Sequence, residues 1–471
     1  MNRPSRRQLD ACRAALLEAL GAPALKTDPD ALSDYGKDES DLGTTPADLV
    51  VLPRTTAEVS AVLKIARAHR VPVTPCGARS GKSGGSMPVE GGIVLSVERM
   101  NAIRSISTED LVAVVEPGVV TGDLMKAVEA KGLFYPPDPN SWEWCTIGGN
   151  IAENAGGPRA FKYGVTRDYV LGMEWVMPDG EVLRVGRRTI KGGAGYDLVG
   201  LLVGSEGTLG VATEITLQLI PLPREVKTAL LVFKDVQAAA RGVSAILAAG
   251  VLPRTLELMD DLAVEAVDGK GFNFPPGTGA CVLAEVDGND ADAVLAELAH
   301  LGEVAEAHGA TETWLANDPA QRERLWAARR TLSTALRALA RFKLSEDLVV
   351  PRSRIPEMVE RCKAVGQALG LRIATYGHAG DGNLHANVLF DRPEDRPKVD
   401  QALHEMASIA IALGGTITGE HGVGLAKREL LALEQPPPVL ALERRLKAVF
   451  DPDGLFNPGK VFPPEPGSRD S

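Results

Sequence analysis

The sequence predicts an α+β protein of more than one domain. Three observations carry that prediction. The chain has 471 residues, and a domain ordinarily takes roughly 150. Strand-like and helix-like periodicities interleave along its whole length. Two prolines, Pro221 and Pro223, separate two stretches of different rhythm.

In the first stretch, Thr55–Glu58 reads as a capping box opening a helix, with Val59, Val62, Leu63 and Ala66 on one face. Strand-like runs follow at Val71–Thr74, Ile93–Val97 and Val112–Glu116. A short helix is expected over Thr121–Lys131, stopped by Gly132. Trp175–Met177 and Val182–Val185 flank Pro178-Asp179-Gly180, a hairpin signal. Val211, Thr213, Ile215, Leu217 and Leu219 alternate with their neighbours as one face of a strand.

After the prolines the order becomes strand Thr228–Phe233, helix Val236–Ala249, strands Arg254–Leu258 and Ala280–Val286, helix Ala291–Ala307 and strand Thr311–Leu315. That β-α-β-β-α-β order is the ferredoxin-like arrangement. A long helix around Pro319–Leu339 follows. Strands Arg372–Tyr376 and Leu384–Phe390 then flank a glycine-rich connection. The last helix ends near Phe450, Asp451-Pro452-Asp453-Gly454 opens a compact turn, and the final PPEPGSRDS reads as a mobile tail.

Composition excludes several function classes. Hydrophobic residues at 44% and charged residues at 24% suit a soluble globular chain. No apolar run reaches the roughly 18 residues of a membrane-spanning helix, and the N-terminus lacks the layout of a secretory signal. A net charge of −11 argues against a nucleic-acid binder working by bulk charge. The cysteines at 12, 76, 145, 281 and 362 are too scattered for an iron–sulfur or zinc-finger site. They fit a reducing cytoplasm better than a disulfide framework.

Glycines cluster at 77–92, 148–157, 186–210, 377–382 and 414–424, where tight turns or close backbone approach to a ligand are the two readings. Cys76–Ser83 nearly spells a Walker A loop, but Cys76 stands where the first glycine belongs and GGSMPVEGG makes a poor helix start. A GxGxxG fingerprint is also absent. Consecutive N–H groups of this loop can still form an anion-binding nest suited to a diphosphate.

Of seven histidines, His378, His385 and His421 lie in the glycine-rich strings YGHAGDGNLHANV and ITGEHGVGLAKR, whereas His69, His300, His308 and His404 have polar, helix-like surroundings. Two imidazoles and a carboxylate, His378, His385 and Glu420, suit a divalent transition metal with an open position. On a strand, Asn387 shares a face with His385. Glu420 and His421 could divide metal binding and proton transfer. The competing reading is that these histidines satisfy backbone groups in turns.

Seven strings taken together, PCGARSGKSGG, PPDPNSWEWCTIGGNIAENAGG, KYGVTRDYVLGMEWVMPDG, GSEGTLGVATEITLQLIPLP, YGHAGDGNLH, TGEHGVG and FDPDGLFNPGKVF, resemble the FAD-linked 2-hydroxy acid dehydrogenases. That family includes the flavin subunit of glycolate oxidase, D-lactate dehydrogenase and D-2-hydroxyglutarate dehydrogenase, within the vanillyl-alcohol oxidase superfamily. The resemblance runs from about residue 45 to 463. It implies an FAD-binding domain of two subdomains and a cap domain with the ferredoxin-like core. The expected division is a helical lead-in at 1–45, the FAD domain at 46–224, the cap at 225–420 and a returning segment at 421–471.

By the same resemblance, Cys76, Gly77, Ala78, Arg79, Ser80, Gly81, Ser83, Gly84 and Gly85 hold the FAD diphosphate. Pro137, Asp138, Thr146, Gly148, Gly149, Asn154 and Gly156 line the isoalloxazine and diphosphate. Glu206, Gly207 and Val211 contact the adenosine side, and Asn457 joins the cofactor set. Lys82 stands where some superfamily members carry a flavin-linking histidine, so the FAD is expected to be non-covalent. The family's metal ligands correspond to His378, His385 and Glu420, its base to His421, and its carboxylate clamp to Arg329 and Lys343, with Asn387 beside them. Zinc is the expected metal, with manganese or iron as alternatives.

The implied reaction converts a D-2-hydroxy acid to the 2-oxo acid. Metal chelation orients the hydroxyl, an imidazole titrating near neutrality takes its proton, and the C2 hydride passes to flavin N5. The electrons leave to a separate acceptor: a quinone, a cytochrome, an electron-transfer flavoprotein or an iron–sulfur subunit. A homodimer is allowed, and the expected location is cytoplasmic, with peripheral attachment at the inner membrane through the acceptor as a variant. Competing readings are an FAD-carrying subunit of a glycolate oxidase-type complex, and a non-oxidative FAD transferase of the same superfamily. The latter carries an extra histidine cluster that this sequence lacks. A P-loop hydrolase is the remaining alternative.

Overall fold

The computed structural model describes residues 3–269 and 273–464; most of the C-terminal tail lies outside the described residues. The chain divides into two compact units. The first takes the chain up to Gly156, Val165–Leu222 and the segment from Glu420 onward; the second takes Gly157–Gly164 and Pro223–Gly419.

The first unit contains two main sheets. One combines β1 (Leu25–Lys26), β2 (Leu49–Val51), β3 (Val73–Cys76) and β4 (Ile93–Ser96) in the order β1-β2-β4-β3. β2 and β3 run parallel to β4, so the chain must cross over between them, and the helix Thr56–Ala68 makes that crossover. β2 and β4 are buried along their whole length, as covering both faces of a parallel sheet requires. Thr55 caps the crossover helix by accepting from Glu58 N at 3.2 Å. The return bond of the expected capping box goes instead to Arg54 N, at 2.7 Å from Glu58.

The other sheet is antiparallel. It contains β5 (Ile103–Ser107), β6 (Val112–Val115), β8 (Val170–Val176), β9 (Val182–Gly186) and β10 (Val211–Gln218) in the order β5-β6-β10-β8-β9. A small pair, β7 (Leu133–Phe134) with β11 (Ile220–Pro221), accompanies it. The β8–β9 hairpin turns where Pro178-Asp179-Gly180 places it: Gly180 takes φ +85 and donates to Met177 O at 2.8 Å. In β10, Ile215 and Leu217 are fully buried while Glu214, Thr216 and Gln218 are half-buried.

The second unit is built on one seven-stranded antiparallel sheet. Its strands are β12 (Glu225–Phe233), β13 (Thr255–Asp260), β14 (Ala280–Gly288), β15 (Ala310–Leu315), β16 (Phe342–Val349), β17 (Arg372–His378) and β18 (Asn383–Phe390). The order is β15-β12-β14-β13-β17-β18-β16. Its first four strands, with helices Val236–Ala248 and Ala291–Ala307, have the ferredoxin-like order, with an added helix, Asp261–Val267, after β13. The sheet continues through β17, β18 and β16, and β16 had no strand signal in the sequence reading. Helices Val236–Ala248, Ala291–Ala307, Ile355–Leu369 and Arg396–Ala412 form one layer of neighbours. Leu325, Leu332, Ala335 and Leu336 of helix Pro319–Arg337 share a core with Leu230, Met259, Leu283, Tyr376 and Leu389 of the sheet. Gly157–Gly164 joins this unit through the buried Asp287, which pairs with Lys162 at 2.6 Å, accepts from Tyr163 Oη at 2.8 Å and meets Arg254 at 3.1 Å.

Candidate active site

In the first unit, the loop after β3 borders a cavity of about 280 Å³. Its wall includes Cys76, Gly77, Ala78, Arg79, Ser80, Gly81 and Gly85, then Gly148 and Gly149, then Glu206, Gly207 and Val211, and finally Glu420 and His421. The loop is held from behind. Asp38 accepts from Gly84 N at 2.8 Å, Glu39 N donates to Gly81 O at 3.0 Å, and Ser83 O accepts from Leu425 and Ala426. Arg79, at φ +62, stacks its guanidinium 4.3 Å from the Tyr35 ring centre and reaches Asp34 at 3.3 Å. A Cβ at Gly77 would lie 2.7 Å from Thr146 Oγ1, so only glycine lets the loop pass this close.

Several predicted cofactor residues stand behind this wall as braces. Thr146 caps helix Ile147–Glu153, and Asn154 ends it at φ +53 while accepting from Arg167 N at 2.9 Å. Pro137 is buried and Asp138 half-buried, next to the wall residues Pro139 and Asn140. Ser83 is buried, and Gly84 takes φ +79. A Cβ at Gly156 would lie 3.2 Å from Glu420 Oε2. Asn457 donates to Gly85 O at 3.1 Å and Glu206 O at 3.0 Å, tying two cavity loops together.

Glu153, Trp144 and Trp175 are among the wall residues that the sequence patterns do not assign. Glu153 and Glu206 flank Gly422, where an added Cβ would lie 2.2 Å from Glu153 Oε2 and 2.9 Å from Glu206 Cδ. Burial, then the charges of Glu206 and Asp38, push Glu153 well above the usual carboxylate range. Glu206 accepts from Val423 N at 2.9 Å and Gly424 N at 2.6 Å. Burial raises it too, against those bonds and the charges of Lys427 and Lys460. The upward push is the less opposed on Glu153, whose Oε2 is buried without a hydrogen-bond partner. A glycine-walled cavity with carboxyl groups at its edge fits a large cofactor that presents both a diphosphate and hydrogen-bonding ring edges. His421 Nε2 lies 3.8 Å from Glu420 Oε1, both half-buried.

The second unit gathers its candidates on one sheet face. Register pairs Glu257 with His378, Tyr376 with His385, and His385 with Asp347; Ala374 and Ser345 both pair with Asn387. Alternation puts Lys343 on the same face. The His378 and His385 rings meet edge-on with centres 5.4 Å apart. His378 Nδ1 lies 2.6 Å from Glu257 Oε1, and His385 Nδ1 lies 4.0 Å from Asp347. Asp347 also accepts from Thr418 Oγ1 at 2.9 Å and Gly419 N at 2.8 Å, fixing the turn just before Glu420. Two adjacent imidazoles, one of them oriented by the Glu257 carboxylate, are a donor set suited to a divalent transition metal.

Beside them, Arg329 is 6% exposed, pairs with Glu257 Oε2 at 2.6 Å and lies 4.8 Å from the Tyr376 ring centre. Lys343 donates to Ser333 Oγ at 2.9 Å and Asn387 Oδ1 at 3.1 Å. Burial raises Glu257, but Arg329 and then His378 outweigh it and bring its pKa to about 2. Glu257, Ser333 and Tyr376 escaped sequence reading; a glutamate inside the apolar run Leu256–Met259 was the available signal. His300, His308 and His404 are exposed and His69 half-buried, as their polar surroundings predicted. Among the described residues no helix is long and apolar enough to cross a membrane.

Two families match the chain. Residues 47–186 match the FAD binding domain family, and residues 222–461 match the C-terminal domain of FAD linked oxidases. The chain is 42% identical to glycolate oxidase subunit GlcD of Bacillus subtilis over 431 residues, covering 91% of this chain and 92% of that one. It is 36% identical to D-lactate dehydrogenase of Anaerostipes hadrus over 439 residues, with 91% and 92% covered. Among solved structures, p-cresol methylhydroxylase with substrate bound superposes with a TM-score of 0.81 at 19% identity, covering 97% of each chain. Alkyldihydroxyacetonephosphate synthase gives 0.76 at 20% identity, covering 98% of this chain and 87% of that one. These structures share the fold.

Proposed function

Because this chain belongs to the FAD-linked oxidases that include glycolate oxidase subunit GlcD and D-lactate dehydrogenase, we propose that it oxidises a D-2-hydroxy acid to the 2-oxo acid and passes the electrons to a separate acceptor. The observation that carries this reading is the polar face of the second unit. There Arg329, Lys343 and Asn387 share one buried surface with the imidazoles of His378 and His385. A carboxylate anchor beside a metal-type donor set is what a 2-hydroxy acid needs.

FAD, held non-covalently, supplies the hydride acceptor, and a divalent cation, zinc first, supplies Lewis acidity toward the substrate oxygens. The chain's own residues do the rest. The Arg329 guanidinium offers a planar fork to the substrate carboxylate while Glu257 holds its other edge. Lys343 adds a second cation, oriented by Ser333 and Asn387. His378 and His385 supply neutral nitrogen donors, with Glu420 assigned as the carboxylate ligand by family resemblance. His421 takes the hydroxyl proton. Loops 77–85 and 204–211 hold the diphosphate and adenosine portions through backbone N–H groups.

The GlcD relatives are named as subunits, which supports a second reading: an FAD-carrying subunit of a multi-subunit complex. Anaerobic mixing of the isolated FAD-loaded protein with a panel of D- and L-2-hydroxy acids separates the two. Flavin bleaching by at least one D-acid is expected. No bleaching by any acid without a partner protein would overturn the first reading in favour of the second.

A further inference from the structure

We infer that Glu257 is a positioning residue that serves the metal donor set and the substrate clamp together. The inference rests on the functional reading above and adds to it how the two parts are coupled. Glu257 sits on β13 with no exposed surface, where an ionised carboxylate is costly unless each oxygen is partnered. The two oxygens take different partners: Oε1 lies in hydrogen-bond contact with His378 Nδ1 at 2.6 Å, and Oε2 forms an ion pair with Arg329 Nη2 at 2.6 Å without hydrogen-bond geometry. A carboxylate on Nδ1 fixes the proton there and leaves Nε2 as the nitrogen that can offer a lone pair to a cation. The same carboxylate fixes the direction of the guanidinium, whose other face stacks on Tyr376.

Glutamine cannot replace this arrangement. Its amide has one acceptor and one donor end, whereas both partners present N–H groups. If the NH2 end faces His378, the ring must carry its proton on Nε2 and loses the lone pair the metal needs. If it faces Arg329, two donors meet. A purely structural role, neutralising Arg329 inside the core, predicts something different: loss of stability with metal affinity unchanged in any variant that still folds.

The test uses the full chain with FAD bound, stripped of metal and titrated with Zn2+ in competition with a chromophoric chelator; Co2+ absorption serves as a second readout. Wild type, His385→Ala, Glu257→Gln, Arg329→Gln and the double variant Glu257→Gln/Arg329→Gln are compared. The double variant removes the guanidinium that Glu257→Gln would strand, so a folded protein lacking the carboxylate is available. Flavin content and circular dichroism confirm folding. Wild type should bind one Zn2+, and His385→Ala should lose that site. Glu257→Gln and the double variant should bind roughly 10–100-fold more weakly. Arg329→Gln should stay within about threefold of wild type, because the His378–Glu257 bond survives; that bound carries the inference. Wild-type affinity in both Glu257 variants, or equal weakening in Arg329→Gln, would overturn the inference while leaving the metal reading intact. A wild type without a site that depends on His385 would overturn the metal reading, and the inference with it.

Discussion

Replacing Asn457 by alanine should loosen the FAD cavity without touching its wall. The side chain donates to Gly85 O and Glu206 O and accepts from Lys460 Nζ at 3.1 Å. It is 2% exposed, so water cannot take over these bonds. Leaving the buried Glu206 carbonyl and the part-buried Gly85 carbonyl without donors costs about 1–3 kcal/mol each. Asn457 also adopts φ +43, where alanine costs roughly 1–2 kcal/mol more than a residue that tolerates the left-handed region. A loss of about 3–8 kcal/mol follows for the first unit, a large share of the roughly 5–15 kcal/mol that holds a domain folded. The two loops it ties border the cavity, so FAD affinity should fall at least tenfold. Thermal unfolding of FAD-free protein and fluorescence titration with FAD measure the two effects. Asn457→Asp, which keeps the backbone preference but loses the donors, should behave similarly. An Asn457→Ala protein with melting temperature and FAD affinity near wild type would refute the bracing argument.

Three further outcomes are expected. His421→Asn should nearly abolish flavin reduction by substrate in rapid-mixing absorbance while FAD stays bound; near-normal reduction would remove His421 from the proton-transfer role. Acid precipitation should release the flavin to the supernatant, since lysine occupies position 82; a yellow pellet would contradict non-covalent binding. Burial pulls Lys460 down to about 7, against the charges of Asp38, Glu206 and Glu90, whereas an unfolded lysine titrates near 10.4. Between these values the unfolded chain binds more protons, so the stability of FAD-free protein should rise with pH from about 7 to 10 relative to Lys460→Met; denaturant titrations showing a constant difference would count against it.

Much of this fold was legible in short-range signals. The Pro-Asp-Gly turn, the alternation in β10 and the helices at 236–248 and 291–307 each follow from local chemistry acting over a few residues. β16 was not legible, because Glu346 and Asp347 interrupt the alternation that Phe342, Lys343, Leu344 and Ser345 begin, and the buried Lys343, Glu346 and Asp347 stand where a strand core is ordinarily apolar. Its place beside β18 depends on long-range pairing that no local pattern encodes. The excursion Gly157–Gly164 rests on Asp287, more than a hundred residues away in sequence. At the site, the strings named the cavity loops but could not separate wall from brace, since Thr146, Asn154 and Asn457 have side chains able to do either. The inward-facing Glu257 carried a signal, a charge inside an apolar strand, whose meaning depended on the partners the fold supplies.

The most direct test of the central claim is anaerobic flavin reduction in three preparations: protein as isolated, protein stripped by a chelator, and stripped protein given back Zn2+. With a D-2-hydroxy acid that bleaches the first, reduction should be lost in the second and restored in the third, with FAD bound throughout. Full-rate bleaching in verifiably metal-free protein would contradict it.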